Sequence, residues 1–171
     1  MPGCFGIVGC GYVGSAVAAH LKHQGQEVVG TTTSPGRLAE LCVLVDHPRL
    51  YSADDPMADT SFLDRLNGVL IAMAPTTATF EEDQYEKVYG QAVPALVDAI
   101  RQRQGGKPLH VAYLSSAGVY GDQSGAICND APGLFQQCVR SSGKRRELHS
   151  CVERRLNPGL CAAAWWYLRS R

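Results

Sequence analysis

Gly6-Ile7-Val8-Gly9-Cys10-Gly11-Tyr12-Val13-Gly14 decides how this chain folds. Phe5 to Val8 is a short apolar run of the kind that fills a buried strand. Val13, Ala16, Val17 and Leu21 then recur at helical spacing until Gly25 stops the helix. Between strand and helix stand Gly9, Gly11 and Gly14, in the spacing G-x-G-x-x-G. A second apolar stretch from Glu27 to Thr32 follows directly, so one short segment reads as strand, turn, helix and strand.

The three glycines have separate expected tasks. Gly9 lets the chain leave the strand sharply, Gly11 offers no Cβ to hold a diphosphate away from the backbone, and Gly14 lets helix and strand approach closely. The free N–H groups of the first helical turn, with the positive end of the helix dipole, then face the phosphates. Gly9, Cys10, Gly11, Tyr12, Val13 and Gly14 are therefore the expected cradle of a dinucleotide. A glycine turn that holds no ligand is the alternative.

The 171 residues suit one domain, and 45% hydrophobic content suffices for a core. No basic leader precedes the first apolar run, and glycines interrupt that run before it reaches membrane-spanning length. The expectation is a cytoplasmic protein with no membrane partner. Seven cysteines without a C-x-x-C pair support neither a disulfide framework nor a zinc ribbon. The zero net charge hides an asymmetry: 8 Lys/Arg against 13 Asp/Glu up to Ile127, then 8 against 3 from Cys128 onward. That basic end also holds four of the cysteines and both tryptophans.

The end of the second strand bears on the choice of nucleotide. In place of the Asp or Glu that holds an NAD ribose stand Thr31, Thr32, Thr33 and Ser34, followed by Arg37. With no acid to repel it and a guanidinium at hand, a 2′-phosphate fits, which favours NADP slightly over NAD. Equally, Ser34-Pro35 reads as a plain N-cap with proline at N1, and Arg37 as solvated surface.

Leu38, Leu41, Cys42 and Val45 give a second helix its apolar stripe. Arg49 to Ser52 reads as a third strand. Beyond it Asp54 is placed either to bond an adenine amino group or simply to leave the strand before Pro56. A short helix with Phe62, Leu63 and Leu66 is expected to close on Asn67-Gly68 as a C-cap. Val69 to Ala74 is a strand buried on both faces, and Ala72, Met73 and Ala74 at its carboxyl end line either the nicotinamide ribose or plain core.

Thr79-Phe80-Glu81-Glu82 is a capping box opening a long helix with Tyr85, Val88, Ala92, Leu96 and Ile100 inward, kinked at Pro94 and ended by Gly105-Gly106. Leu109 to Leu114 makes a fifth strand. Alternation of strands with helices, joined by right-handed crossovers, predicts an α/β fold of Rossmann type. Its sheet is doubly wound and parallel in the order 3-2-1-4-5, with Leu160 to Leu168 available for a sixth strand.

The fifth strand runs into Leu114-Ser115-Ser116-Ala117-Gly118-Val119-Tyr120-Gly121. This segment resembles the S-S-x-x-V-Y-G segment of the extended short-chain dehydrogenase/reductases, the NAD-dependent epimerase/dehydratase branch. With the opening glycines, the resemblance covers roughly three quarters of the chain. The G-x-G spacing is similar to that of atypical members. The resemblance implies that Ser116 hydrogen-bonds the substrate oxygen and that Ser115 supports the cofactor end of the pocket. Ser116 read without the family is a strand-end turn serine.

The family also implies a Tyr-x-x-x-Lys pair, in which lysine lowers the tyrosine pKa and the phenol moves the proton while nicotinamide carries hydride. Here the chain departs from the pattern. Arg140-Ser141-Ser142-Gly143-Lys144-Arg145 supplies Lys144 but no tyrosine. A serine hydroxyl cannot replace a phenol as an acid at neutral pH.

The expected organisation is a nucleotide-binding core over 1–121 and a basic tail over 122–171 with one helix at 142–156. The substrate-binding region of the extended family is expected to be missing, as in a truncated relative. The tail cysteines with His149 lack the close pairs of a zinc site, and its arginines with Trp165 and Trp166 are more simply a solvated face than a nucleic-acid surface. No metal and no nucleic acid are therefore expected. The reading that follows is an NAD(P)-binding oxidoreductase or epimerase-like protein acting on a small carbonyl or nucleotide-sugar type substrate, with a homodimer left open. The runner-up is a module that binds the cofactor without turnover. A third reading, the cofactor domain of a β-hydroxyacid dehydrogenase, leaves Ser115 to Gly121 unexplained.

Overall fold

The computed structural model describes residues 2–75, 82–104 and 108–114. The chain divides after Leu114, and the described residues all belong to the unit Met1–Leu114. The expected capping box at Thr79–Glu82, the Gly105-Gly106 stop, Ser115, Ser116, Lys144, the tail helix and the sixth strand lie wholly or partly outside the described residues.

Five strands form one parallel sheet in the order β3-β2-β1-β4-β5, as the alternation of elements predicted. They are β1 (Cys4–Val8), β2 (Glu27–Thr32), β3 (His47–Leu50), β4 (Gly68–Ile71) and β5 (His110–Tyr113). The first helix, α1, spans Tyr12–His23, and α2 spans Leu38–Leu44 after a 3₁₀ turn at Pro35–Arg37. A second 3₁₀ turn, Ser61–Arg65, precedes β4. Then come α3 (Glu82–Tyr85), a π-helical stretch (Glu86–Ala92) and α4 (Val93–Gln102). Among the described residues no helix is long and apolar enough to cross a membrane.

The first βαβ unit is closed by local chemistry. Gly25, at φ +72°, takes the left-handed conformation just past α1; its N–H bonds the carbonyl of Lys22, and the N–H of Gln26 bonds that of Leu21. This pair of bonds satisfies carbonyls that the helix end leaves open, while His20, Lys22 and His23 complement the negative end of the dipole. Ile7, Val28, Ala18, Leu41, Cys10 and Val45 then bury together between the sheet and helices α1 and α2. Leu66 presses against Gly6, where an added Cβ would come within 2.6 Å of its methyl group.

Several boundaries differ from the sequence reading. Asn67-Gly68 is not a helix cap: Leu66 already ends the turn, and Gly68 opens β4. Asn67 instead joins strands. Its Oδ1 accepts the Cys4 N–H at 2.8 Å, its own N–H donates to the Cys4 carbonyl at 2.7 Å, and its carbonyl accepts the His110 N–H at 3.0 Å. The third strand begins at His47, because Asp46 accepts the Val28 N–H and so docks the chain on β2 earlier than the apolar pattern implied. Cys42 is exposed, leaving Leu41 and Val45 as the buried part of the α2 stripe.

In the long helical segment the buried face is Tyr89, Ala92, Val93, Leu96 and Val97. Val88 is only half-buried, because the π-helical turns shift the face before Pro94, and Ile100, near the end of α4, is half-buried as well. Pro94 lies in the first turn of α4, where its missing N–H costs little, so the interruption falls before it as a change of helical hydrogen bonding.

Candidate functional site

The site is the crevice at the carboxyl ends of β1 and β4, where the order of the sheet reverses direction. In open α/β sheets this is where ligands lodge. At the end of β1 the chain turns on Gly9, whose φ of +96° excludes a side chain without strain. A methyl added there would also lie 2.8 Å from the Ala72 carbonyl oxygen. The turn is pinned to β2 by one residue: Thr31 Oγ1 accepts the Gly9 N–H at 3.1 Å, and the Thr31 carbonyl accepts the Cys10 N–H at 2.9 Å. Thr31 is 2% exposed, so its hydroxyl serves the turn.

Gly11 and Gly14 differ in what surrounds them. A Cβ on Gly14 would stand 2.3 Å from the Gly9 carbonyl oxygen and 3.1 Å from an Ile7 methyl, so the first turn of α1 lies directly on the end of β1. At Gly11, the residue that starts α1, nothing lies within 4 Å of the same added atom. Gly11's own N–H is bonded to the Gly9 carbonyl at 2.9 Å. The amides of Tyr12, Val13 and Gly14 belong to the helical turn that has no intrahelical acceptor. Open space before a helix N-terminus suits an anion. Tyr12 is 97% exposed and stands at this mouth.

Cys10 faces the other way. Its thiol is buried beside the Ile7 carbonyl, its carbonyl accepts the Ser15 hydroxyl at 3.1 Å, and burial pushes the thiol pKa up, partly opposed by the backbone bond to Thr31. It is a buried thiol of the core.

A cleft of about 450 Å³ opens beside the turn, between the first turn of α1 and helix α2. It is lined by Cys10, Ser15, Thr32, Arg37, Glu40 and Leu41, with Val43 and Leu44 farther along. Thr32, at the end of β2, is buried, and its hydroxyl accepts the Ser34 N–H at 3.2 Å. Ser34 stands at the N-cap, but its side chain makes no capping bond. Arg37 Nε lies 3.4 Å from Glu40 Oε2, both side chains being largely exposed. Ser15 and Glu40 were not singled out from the sequence. The signal for Glu40 was its spacing, three residues after Arg37 on one helical face.

Asp54 is already engaged. It accepts the Ser52 hydroxyl and pairs with Lys87 at 3.4 Å. That hydrogen bond first, and the lysine charge after it, hold its carboxyl below the usual range. Ala72 is buried and extends the β4 ladder through its N–H to the Val8 carbonyl at 2.8 Å. Met73 is half-buried and Ala74 exposed. The structure thus brings Gly9, Ala72 and Met73 into one crevice, with Gly11 open before it. Thr32 and Arg37 share the neighbouring cleft, and Asp54 stands in the loop after β3. Among the described residues no group of His, Cys, Asp and Glu is placed to hold a metal ion.

No family model matches the chain, and no curated protein matches it in sequence. Solved structures do share its fold. A protein described as an NAD-dependent epimerase/dehydratase from Bacillus halodurans is 16% identical, with 90% of this chain and 64% of that one covered at a TM-score of 0.61. MoeE5, solved with UDP-glucose and NAD, is 16% identical, with 93% and 51% covered at 0.63. An engineered reductase is 19% identical, with 70% and 39% covered at 0.51. The chain spans less than two thirds of each of these proteins. They include the kinds of protein that the glycine turn and the Ser115–Gly121 segment resemble, and at this identity the likeness is one of fold.

Proposed function

We propose that the chain binds a nicotinamide dinucleotide through the β1–α1 turn and belongs with the NAD(P)-dependent epimerases, dehydratases and reductases in its chemistry. One observation carries this reading. Of the three glycines, Gly9 and Gly14 are held by contacts of the protein with itself, whereas Gly11 borders empty space at a helix N-terminus. The residues present fit a diphosphate there: amides without intrahelical acceptors, no side chain in the way, and a rigid turn behind.

In this reading the diphosphate lies on the first turn of α1, the adenosine ribose lies over the end of β2 at Thr32 and Arg37, and the nicotinamide end lies toward Ala72, Met73 and Ala74. Arg37 supports acceptance of a 2′-phosphate, and with it NADP alongside NAD. When bound, the cofactor supplies a hydride acceptor or donor. The substrate would be a small carbonyl compound or a sugar nucleotide, with Ser116 hydrogen-bonding its reacting oxygen and Ser115 at the cofactor side. Asp54 would reach the adenine only by giving up Ser52 or Lys87.

Titration of the full chain with NADH and NADPH, read by nicotinamide fluorescence, tests the binding. Saturable binding of at least one supports the reading, and binding of neither ends it. The absence of a tyrosine four residues before Lys144 favours a second reading, a binder without turnover. Incubation with NADPH and a panel of carbonyl compounds separates the two, because only the enzyme oxidises the cofactor.

A further inference from the structure

The cleft beside the glycine turn contains both signs of charge. Arg37 and Glu40 stand three residues apart across the junction of the 3₁₀ turn and α2. Their side chains lie 3.4 Å apart, and both line the space bounded by Ser15 and Thr32. Thr32 and Ser15 offer no charge, and among the described residues that line this cleft Arg37 is the one cation and Glu40 the one anion. The end of β2 itself carries no acid: it is Thr31, buried against Gly9, and Thr32, whose hydroxyl accepts the Ser34 N–H. The one acid among the described residues lining this cleft therefore sits on α2, paired with the guanidinium of Arg37.

We propose that Glu40 is a positioning and selectivity residue. By pairing with Arg37 and placing its own negative charge in the cleft, it holds back binding of a 2′-phosphorylated adenosine and keeps the site open to the unphosphorylated one. The proposal rests on the reading of the turn as a dinucleotide site. The physical argument is one of competition. A dianionic phosphate entering the cleft must draw Arg37 away from a carboxylate that stays nearby and repels it, whereas a ribose hydroxyl meets no such repulsion. Because the pair is exposed, solvent weakens it, and the expected effect is a modest factor rather than an absolute switch.

The test is affinity of the full chain for 2′,5′-ADP, 5′-ADP, NADPH and NADH, with Glu40→Gln, Arg37→Gln and the double variant. Glu40→Gln is expected to tighten 2′,5′-ADP and NADPH by roughly fivefold, with 5′-ADP and NADH changed less than about twofold. The gain should shrink in the Arg37→Gln background and fall as salt is raised, two responses that a merely structural role for Glu40 would not give. Equal changes for all four ligands, or none for the two that carry a 2′-phosphate, overturn the proposal while leaving the dinucleotide site intact. Failure of the unaltered chain to bind any of the four overturns both.

Discussion

The β1–α1 turn and the β2–α2 connection sit side by side but are built on different principles. The first is made of backbone: a left-handed glycine, a buried threonine that accepts one N–H by its side chain and another by its carbonyl, and a helix packed against a strand with no room for a methyl. The second is made of exposed side chains, Ser34, Arg37 and Glu40, on a 3₁₀ turn and the helix that continues it. Backbone geometry of the first kind can be satisfied by few residues, so it marks the sequence plainly. Side-chain pairs of the second kind are interchangeable at little structural cost, which makes them suited to adjusting preference and hard to recognise.

The contrast can be broken most forcefully at Gly14. Gly14→Ala puts a methyl 2.3 Å from the Gly9 carbonyl, and the helix must move away from the strand. Thermal or urea unfolding should show a loss of about 3 kcal/mol, the upper range for overpacking. Gly11→Ala should do the reverse. With nothing within 4 Å of the new atom, unfolding should change by less than about 0.5 kcal/mol, while NADH and NADPH affinity falls about tenfold or more. Equal stability losses at the two glycines would erase the distinction between a packed and an open position.

Thr31→Val keeps the shape and removes the acceptor of the Gly9 N–H. A loss of about 1 kcal/mol in unfolding free energy is expected, the typical cost of one hydrogen bond. No loss would mean that the turn holds itself. The smallest effect is expected away from both regions, at Asp46. Its carboxyl is held below the usual aspartate value, chiefly by the Val28 N–H and then by Lys22. A depressed folded-state pKa contributes stability above the unfolded value of about 3.9, and that contribution disappears as pH falls through the lower folded value. Asp46→Asn should therefore be slightly less stable than the unaltered chain at pH 7 and equal to it in strong acid, as followed by urea midpoints.

Strand order was legible because each buried run is bounded by a turn residue and each crossover has one favoured hand. Gly9, Gly11 and Gly14 could be told apart by spacing alone. Other features were not accessible that way. Thr31 reads the same from sequence whether it faces a ribose or a neighbouring amide, and only burial distinguishes the two. Asn67-Gly68 has the composition of a helix end, yet the amide side chain of Asn67 bonds a residue 63 positions away, a partner that no local pattern contains. The inward face of the long helical segment was displaced because a π-helical stretch changes the period on which the reading depends. Glu40 went unremarked since an acid beside an arginine on a helix is ordinary until both are seen to share a cleft.

Asn67 gives the crevice something like a measuring mark. Level with Cys4 at the floor of the sheet, it starts two parallel strands from a common origin, and five residues later on each the chain arrives at Gly9 and Ala72, which meet at the rim. The rim is thus levelled from the bottom by equal counts. Lengthening either strand by one residue would part Gly9 from Ala72 without altering either of them.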